Sequence, residues 1–272
     1  MDALLSFIVP FYRKLDWFKA VFPRNRCLHS ELVEVVLVLD EPTQEREVVE
    51  FIRNHRARVV VNDHDHSWRP PCAAINVGLR HALGEYIAVV SPESYVLVEP
   101  GYLEQRISIL PERFVLTGNL WHGVGIEPDH PIEAVQAYAD SHNSVSEIYG
   151  FKCCAKELLM EVGGYDERRV GYGGDDDDVY ARLCAKGRPV VDPNIRIVHP
   201  YHNSVGRADT PREPYVTKLD FAPFGREFSR IAFDYANVAQ SAERLPSKQG
   251  VTGSLPVVRS ILHENPSHGA AG

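Results

Sequence analysis

The sequence predicts an α/β protein built on one open sheet flanked by helices, a single main domain. Three observations carry this. Two short, β-branched, nearly continuous apolar runs, Leu4 to Pro10 and Val33 to Leu39, have the composition of strands covered on both faces. Stretches with apolar residues at helical spacing alternate with them. A chain of 272 residues with 44% hydrophobic and 24% charged side chains has enough to bury for one generous core, which excludes a stapled mini-protein, a wholly disordered chain and a coiled coil.

Taken in order, Leu15 to Val21 reads as the first helix, and Thr43 to His55 as the second, with Val48, Val49 and Ile52 on one face. Arg58 to Val61 is a third short strand. Residues 71–83 place Ala74, Ile75, Gly78, Leu79 and Ala82 at helical spacing, with Pro71 suited to the first turn and Gly84 to the end. Glu85 to Val90 is the fourth strand. Such alternation builds a sheet that binds ligands at the carboxyl ends of its strands, so the functional loops should follow Pro10, Leu39 and Val90. The second half is less periodic: a strand at Arg113 to Gly118, a helix at 131–142, a helix at Val179 to Ala185, and a last strand at Val190 to Val198 that leads into His199. Beyond residue 240 the composition turns to Ser, Gly, Pro and His, which predicts a mobile tail.

Twenty-nine Lys and Arg against 37 Asp and Glu give a net charge of −8, which argues against a broad basic face for nucleic acid. The five cysteines form no C-x-x-C pair and read as buried thiols in a reducing compartment. The start, MDALLSFIVP, has an acid where a signal peptide carries a basic flank, and no apolar run approaches the ~20 residues that cross a bilayer. The expectation is a cytoplasmic protein with no transmembrane segment.

Familiar phosphate-binding signatures are missing: neither G-x-x-x-x-G-K-[ST] nor G-x-G-x-x-G occurs after the first strand. The most informative stretch is Glu161 to Val179, EVGGYDERRVGYGGDDDDV. The four consecutive carboxylates Asp175 to Asp178 repel one another, so they are solvated at a helix start, bound to metal, or poised for acid/base work. Asn62 to His66 (NDHDH) is a second cluster of ligand-type residues. His64 and His66 could chelate zinc only in an extended loop, from which Asp63 and Asp65 point the other way, so a solvated loop is the favoured reading.

The block G-G-Y-D-E followed by G-Y-G-G-D-D-D-D resembles the GG-F-D-E…G-W-G-G-E-D-D-D block of GT-A fold glycosyltransferases, especially β-1,4-galactosyltransferases and bacterial family 2 enzymes. Ser6 to Tyr12 (SFIVPFY) looks like their opening strand and turn, and Val36 to Glu41 (VLVLDE) like their second strand. Asn76-Val77-Gly78 and Gly84-Glu85-Tyr86-Ile87 resemble the elements that lead to their D-x-D motif. The resemblance covers residues 4–203. It departs at D-x-D, where this sequence has Ser91-Pro92-Glu93, so the first acid is lost and the second is a longer carboxylate.

The resemblance implies a GT-A type, Rossmann-like open mixed sheet and transfer of a sugar from a nucleoside diphosphate sugar to a saccharide or other hydroxyl acceptor, with inversion. Uridine is the default base because the resembled families mostly use it. Pro10, Phe11, Tyr12, Asp40 and Glu41 would frame the donor, and Arg69 would reach its diphosphate. Glu93 and His199, with His202 as runner-up, would hold Mn²⁺ or Mg²⁺. Asp176, the second acid of the run, would be the base, with Asp175 and Asp177 binding acceptor hydroxyls or tuning it. The chain would then divide into a nucleotide-sugar-binding half (1–98), an acceptor and catalytic half (99–203), a helical or lid extension (204–240) and a flexible tail (241–272). In the extension, Phe221, Phe224, Phe228, Phe233 and Tyr235 either close over the site or are ordinary core. Two other readings stay open: a non-catalytic sugar or nucleotide-sugar binding domain with a degenerate D-x-D site, and a nucleotidyltransferase, which Pro10-Phe11-Tyr12 disfavours because that chemistry uses a Gly-rich basic turn.

Overall fold

Strand β1 (Leu5–Phe11) is the axis of the structure, a computed structural model that describes residues 3–40, 42–62, 70–169, 173–201 and 229–236. Its side chains alternate between two cores. Leu5, Phe7, Val9 and Phe11 enter one, and Ile8 the other, as the two-residue period of a strand requires. The first core is closed by helices α1 (Leu15–Val21), α2 (Glu45–Ile52) and α4 (Tyr102–Ser108) through Phe18, Val48, Ile52, Leu103 and Ile107. The second is closed by α3 (Cys72–His81), α6 (Lys156–Glu161) and α7 (Asp175–Cys184) through Ile75, Leu79, Leu158, Val179 and Leu183. Helix α5 (Ile132–Ser141) forms a third, smaller cluster around Trp121, Val135 and Val198.

The other strands are β2 (Val33–Leu39), β3 (Ala57–Asn62), β4 (Tyr86–Val89), β5 (Tyr95–Leu97), β6 (Phe114–Gly123), β7 (Lys152–Ala155), β8 (Arg188–Pro200) and β9 (Ser229–Asp234). They make one mixed sheet in the order β5-β8-β6-β7-β4-β1-β2-β3-β9. Strands β3, β2, β1 and β4 run parallel. Strand β7 is antiparallel between β4 and β6, and β8 runs parallel to β6. The edges β5 and β9 are antiparallel to their neighbours. The carboxyl ends of β1, β2, β3, β4, β6 and β8 and the amino end of β7 therefore share one edge of the sheet.

The expected elements of the first ninety residues all form. Strands β1 and β2 are buried throughout but for Pro10, as continuous apolar runs demand. Five α-helices and β-strands that periodicity did not predict also form: β5, α4, β7, α6 and β9. Within the span expected as a helical or lid extension, residues 229–234 form an edge strand antiparallel to β3. Phe233 packs against the first core, and the Tyr235 hydroxyl accepts a hydrogen bond from Arg56 Nε at 3.0 Å. Neither aromatic is near the carboxyl-end edge, because Asp234 is registered with Arg58 at the amino end of β3. Phe221, Phe224 and Phe228, the NDHDH histidines and aspartates, and residues 241–272 lie outside the described residues. The five cysteines are free thiols; Cys27, Cys72, Cys153 and Cys154 are buried and Cys184 is half-buried. Among the described residues, no helix is long and apolar enough to cross a membrane.

Candidate active site

The shared edge opens into a cavity of about 660 Å³. Pro10, Phe11 and Tyr12 reach it from the end of β1, and Asp40 from the end of β2. Ser91, Pro92 and Glu93 reach it after β4, His122 from β6, Lys152 from β7 and His199 from β8. Asp175, Asp176 and Asp177 enter from the first turn of α7. Each follows from topology, since parallel strands deliver their following loops to one side. The Asp40 amide donates to the Phe11 carbonyl at 2.8 Å, and Asn62 Nδ2 donates to Asp40 Oδ1 at 2.7 Å. Three neighbouring strand ends are thus tied together, with a nearly buried carboxylate in the middle.

Glu93 is buried and its Oε1 lies 3.5 Å from His199 Nε2 and 3.4 Å from Lys14 Nζ. Two metal–ligand bonds of about 2.1 Å can span an oxygen and a nitrogen 3.5 Å apart, so the pair is compatible with one divalent cation. Among the described residues no group of three or more His, Cys, Asp or Glu converges in that way. Ser91, at the position of the missing acid, also faces the cavity.

The acidic run is sorted by its surroundings. Asp178 is fully buried: Arg182 donates to its Oδ2 through Nη2 at 2.7 Å and Nε at 3.1 Å, and Arg169 Nη2 stands 3.6 Å from Oδ1. Arg182 Nη1 also donates to the carbonyls of Val162 and Gly164, at 2.6 and 2.7 Å. The last acid therefore pins α7 to the glycine loop. That loop is held by Asn76, whose side chain bonds the carbonyl and the amide of Tyr165, each at 2.8 Å, and Glu167 Oε1 at 2.9 Å. Gly164 has φ +67, and a Cβ there would sit 2.5 Å from Asn76 Oδ1, so this contact needs glycine. Gly174, with φ +82, ends the approach to α7 in the same left-handed region, and a Cβ on it would stand 2.9 Å from Arg169 Nη1.

The other three acids face the cavity. Asp177 Oδ1 accepts a 2.7 Å hydrogen bond from the Tyr149 hydroxyl. Asp176 is ion-paired with Lys152, whose own side chain is only 5% exposed. Burial, followed by the negative charge of Asp176, pushes the Asp175 carboxyl up to about 6, while helix N–H groups and Lys152 pull the other way. Burial pushes the Cys72 thiol and the Tyr165 hydroxyl up as well, with Asp175 and Asp176 adding to both.

Of the residues singled out in the sequence, Pro10, Phe11, Tyr12, Asp40, Glu93, His199, Asp175, Asp176 and Asp177 line the one cavity. Glu41, Arg69 and His202 lie outside the described residues. Sequence reasoning missed Lys14, Asn62, Tyr149 and Lys152. Lys152 had a readable signal, a lone cation immediately before the apolar pair Cys153-Cys154, but the run was too short to be taken as a strand.

Residues 133–203 match the family model described as the N-terminal domain of galactosyltransferase. Over 71 residues the chain is 31% identical to beta-1,4-galactosyltransferase 1 of Bos taurus, a match that takes in 26% of this chain and 18% of the relative. The chain thus spans under a fifth of the curated relatives it matches. Among solved structures, it is similar to the mannosyltransferase PcManGT of Pyrobaculum calidifontis, in complex with GDP-Man and Mn²⁺, with TM-score 0.50 and 17% identity over 73% of this chain and 57% of that one. It is also similar to GalNAc-T7 with UDP, GalNAc and Mn²⁺, with TM-score 0.52 and 16% identity over 74% of this chain and 44% of the other. The fold is the GT-A fold of glycosyltransferases. The segment that matches the galactosyltransferase model contains the glycine loop, α7 and His199.

Proposed function

We propose that the chain is a glycosyltransferase that moves a sugar from a nucleoside diphosphate sugar to a hydroxyl acceptor, with inversion. The observation that carries this reading is one cavity, at the carboxyl ends of a GT-A sheet, that holds both the Glu93–His199 pair and three carboxylates of α7. Pro10, Phe11, Tyr12 and Asp40 frame the nucleoside, with Asn62 fixing the Asp40 carboxylate. On the strength of the sequence resemblance alone, Glu41 would join that frame, Arg69 would reach the diphosphate and His202 would be the runner-up metal ligand. Glu93 and His199 are the residues that would hold Mn²⁺ or Mg²⁺, and such an ion neutralises charge on a departing diphosphate.

Asp176 takes the proton of the acceptor hydroxyl as that oxygen attacks the anomeric carbon from the face opposite the diphosphate. Displacement on that geometry inverts the anomeric centre. Asp177, steadied by Tyr149, and Asp175 meet other acceptor hydroxyls or set the charge around the base. The nucleotides in the similar structures, GDP-Man in one and UDP in the other, leave both bases as candidates, with UDP-sugars the first choice.

A panel of UDP- and GDP-sugars, scored for donor binding and for nucleoside diphosphate release with Mn²⁺ or with chelator, tests the reading. Metal-dependent release that Asp176→Asn abolishes supports it. A donor that binds and stabilises the chain without turnover in any acceptor mixture would instead make it a binding domain with a degenerate site.

A further inference from the structure

The buried ammonium of Lys152 is a group in the cavity to which the proposed chemistry assigns no work. It stands at the first residue of β7, registered with Val89 of β4 and Thr117 of β6, so its backbone is fixed on both sides. Its side chain is 5% exposed and meets the Asp176 carboxylate, which is 37% exposed. A lysine on an interior strand of a sheet forfeits hydration for its ammonium, and a strand does not need that residue type. The partner it meets lies in the acid run.

We propose that Lys152 is a positioning residue for the base: its buried ammonium, paired with Asp176, aims that carboxylate into the cavity and offsets the negative charge it sets beside Asp175. This deepens the glycosyltransferase reading and rests on it. Asp175, largely removed from water and beside the negative charge of Asp176, resists ionisation. A fixed cation on Asp176 lowers that cost. A neutral hydrogen-bond donor would hold the geometry without supplying the charge.

The titratable groups around the pair come from five segments of the chain. Asp177 lies on the same helix with Tyr149 on its Oδ1, Cys72 is on α3, Tyr165 is in the glycine loop, and Lys152 is on β7. Burial raises the Cys72 thiol and the Tyr165 hydroxyl, so both stay neutral where carboxylates titrate. Arg169 also acts on the Cys72 thiol, pulling it down, and Asp166 pushes it up. Lys152 is the cation that pulls Asp175 down against burial and Asp176.

The test is a carboxyl ¹³C NMR titration of the full chain, with the Asp175 resonance assigned by its loss in Asp175→Asn. In Lys152→Met the Asp175 midpoint should rise by about one pH unit or more, and in Lys152→Arg it should stay near the wild-type value. Where Lys152→Met fails to fold, Lys152→Gln keeps a polar head in the slot and should show the same rise. Donor hydrolysis adds a second readout: the acid limb of kcat/KM should move upward in the neutral variants and return in Lys152→Arg. An Asp175 midpoint that ignores Lys152→Gln, or a rate that falls equally at every pH, overturns the proposal. A wild-type chain that binds no nucleoside diphosphate sugar defeats the glycosyltransferase reading instead, and the titration reads the carboxylate pair independently of it.

Discussion

The two halves of the site are held by different physics. The proposed donor side is built from β1, β2, β3 and β4, whose side chains are buried apolar residues in a parallel ladder, and its shape is the sum of many small contacts. The proposed acceptor side hangs on a few polar pins: Asn76 on the glycine loop, Arg182 on Asp178, Tyr149 on Asp177 and Lys152 on Asp176. Contacts of the first kind are redundant. Pins are not, so single substitutions on the acceptor side should have large and separable effects, and neighbouring acids of one run should answer differently to the same change.

Asp178→Ala should show the largest effect, and it should be on stability. It leaves the buried Arg182 guanidinium without its carboxylate, a loss in the range of about 3–5 kcal/mol for breaking a buried pair from one side. Urea unfolding measures it. A loss under about 1 kcal/mol, as for an exposed pair, would mean that the pin does not bear on the fold. Asp176→Asn should come next, with the cost in rate: turnover falls by roughly 10²-fold or more while donor affinity and melting temperature hold. Wild-type turnover in Asp176→Asn, with Asp175→Asn or Asp177→Asn inactive, moves the base along the run.

The same contrast explains how much of the molecule was legible. Strands β1 and β2 announce themselves because burial on both faces demands continuous β-branched runs, and α3 because its apolar stripe spans ten residues. Strand β7 did not, because it is four residues long, opens with a lysine and continues with two cysteines. Nothing in the period of that segment says that Lys152 is buried; the partner that makes burial tolerable is 24 residues away. Helix α6 has six residues, too few to show a helical period. Strand β9 is an edge whose register with β3 shifts between Val59 and Val60, so it lacks a clean alternation. The acid run was conspicuous as composition, yet its division into one structural and three cavity-facing acids depends on Arg182, Tyr149 and Lys152, none of which the run itself reveals.

Ser91→Asp probes the donor side, where effects should be smaller because the strand ends are already fixed. Restoring a carboxylate beside Glu93 and His199 should tighten Mn²⁺ binding by about tenfold, read by titration without donor. Unchanged affinity would mean that Ser91 faces the cavity but not the ion, and that the missing acid is no defect in this chain.

Asp175→Asn should have the smallest effect, and its sign separates the two halves most sharply. The folded-state value of Asp175 is about 6 against an ordinary 3.8, so between those values the folded chain keeps a proton that the unfolded chain has released. Stability from this group therefore falls as pH rises through that window, and the full penalty is present above about 6. Asp175→Asn removes the charge and should raise stability at pH 7, by about 1–2 kcal/mol once partial hydration and coupling to Asp176 are allowed for. At about pH 2.5, well below both values, variant and wild type should melt together, because the wild-type carboxyl is then neutral in the folded and the unfolded chain alike. A core substitution on the donor side has no such crossover. Should Asp175→Asn instead lose stability equally at pH 4 and pH 7, the carboxylate serves mainly to accept the free N–H groups at the start of α7, and the tension assigned to the acid pair is absent.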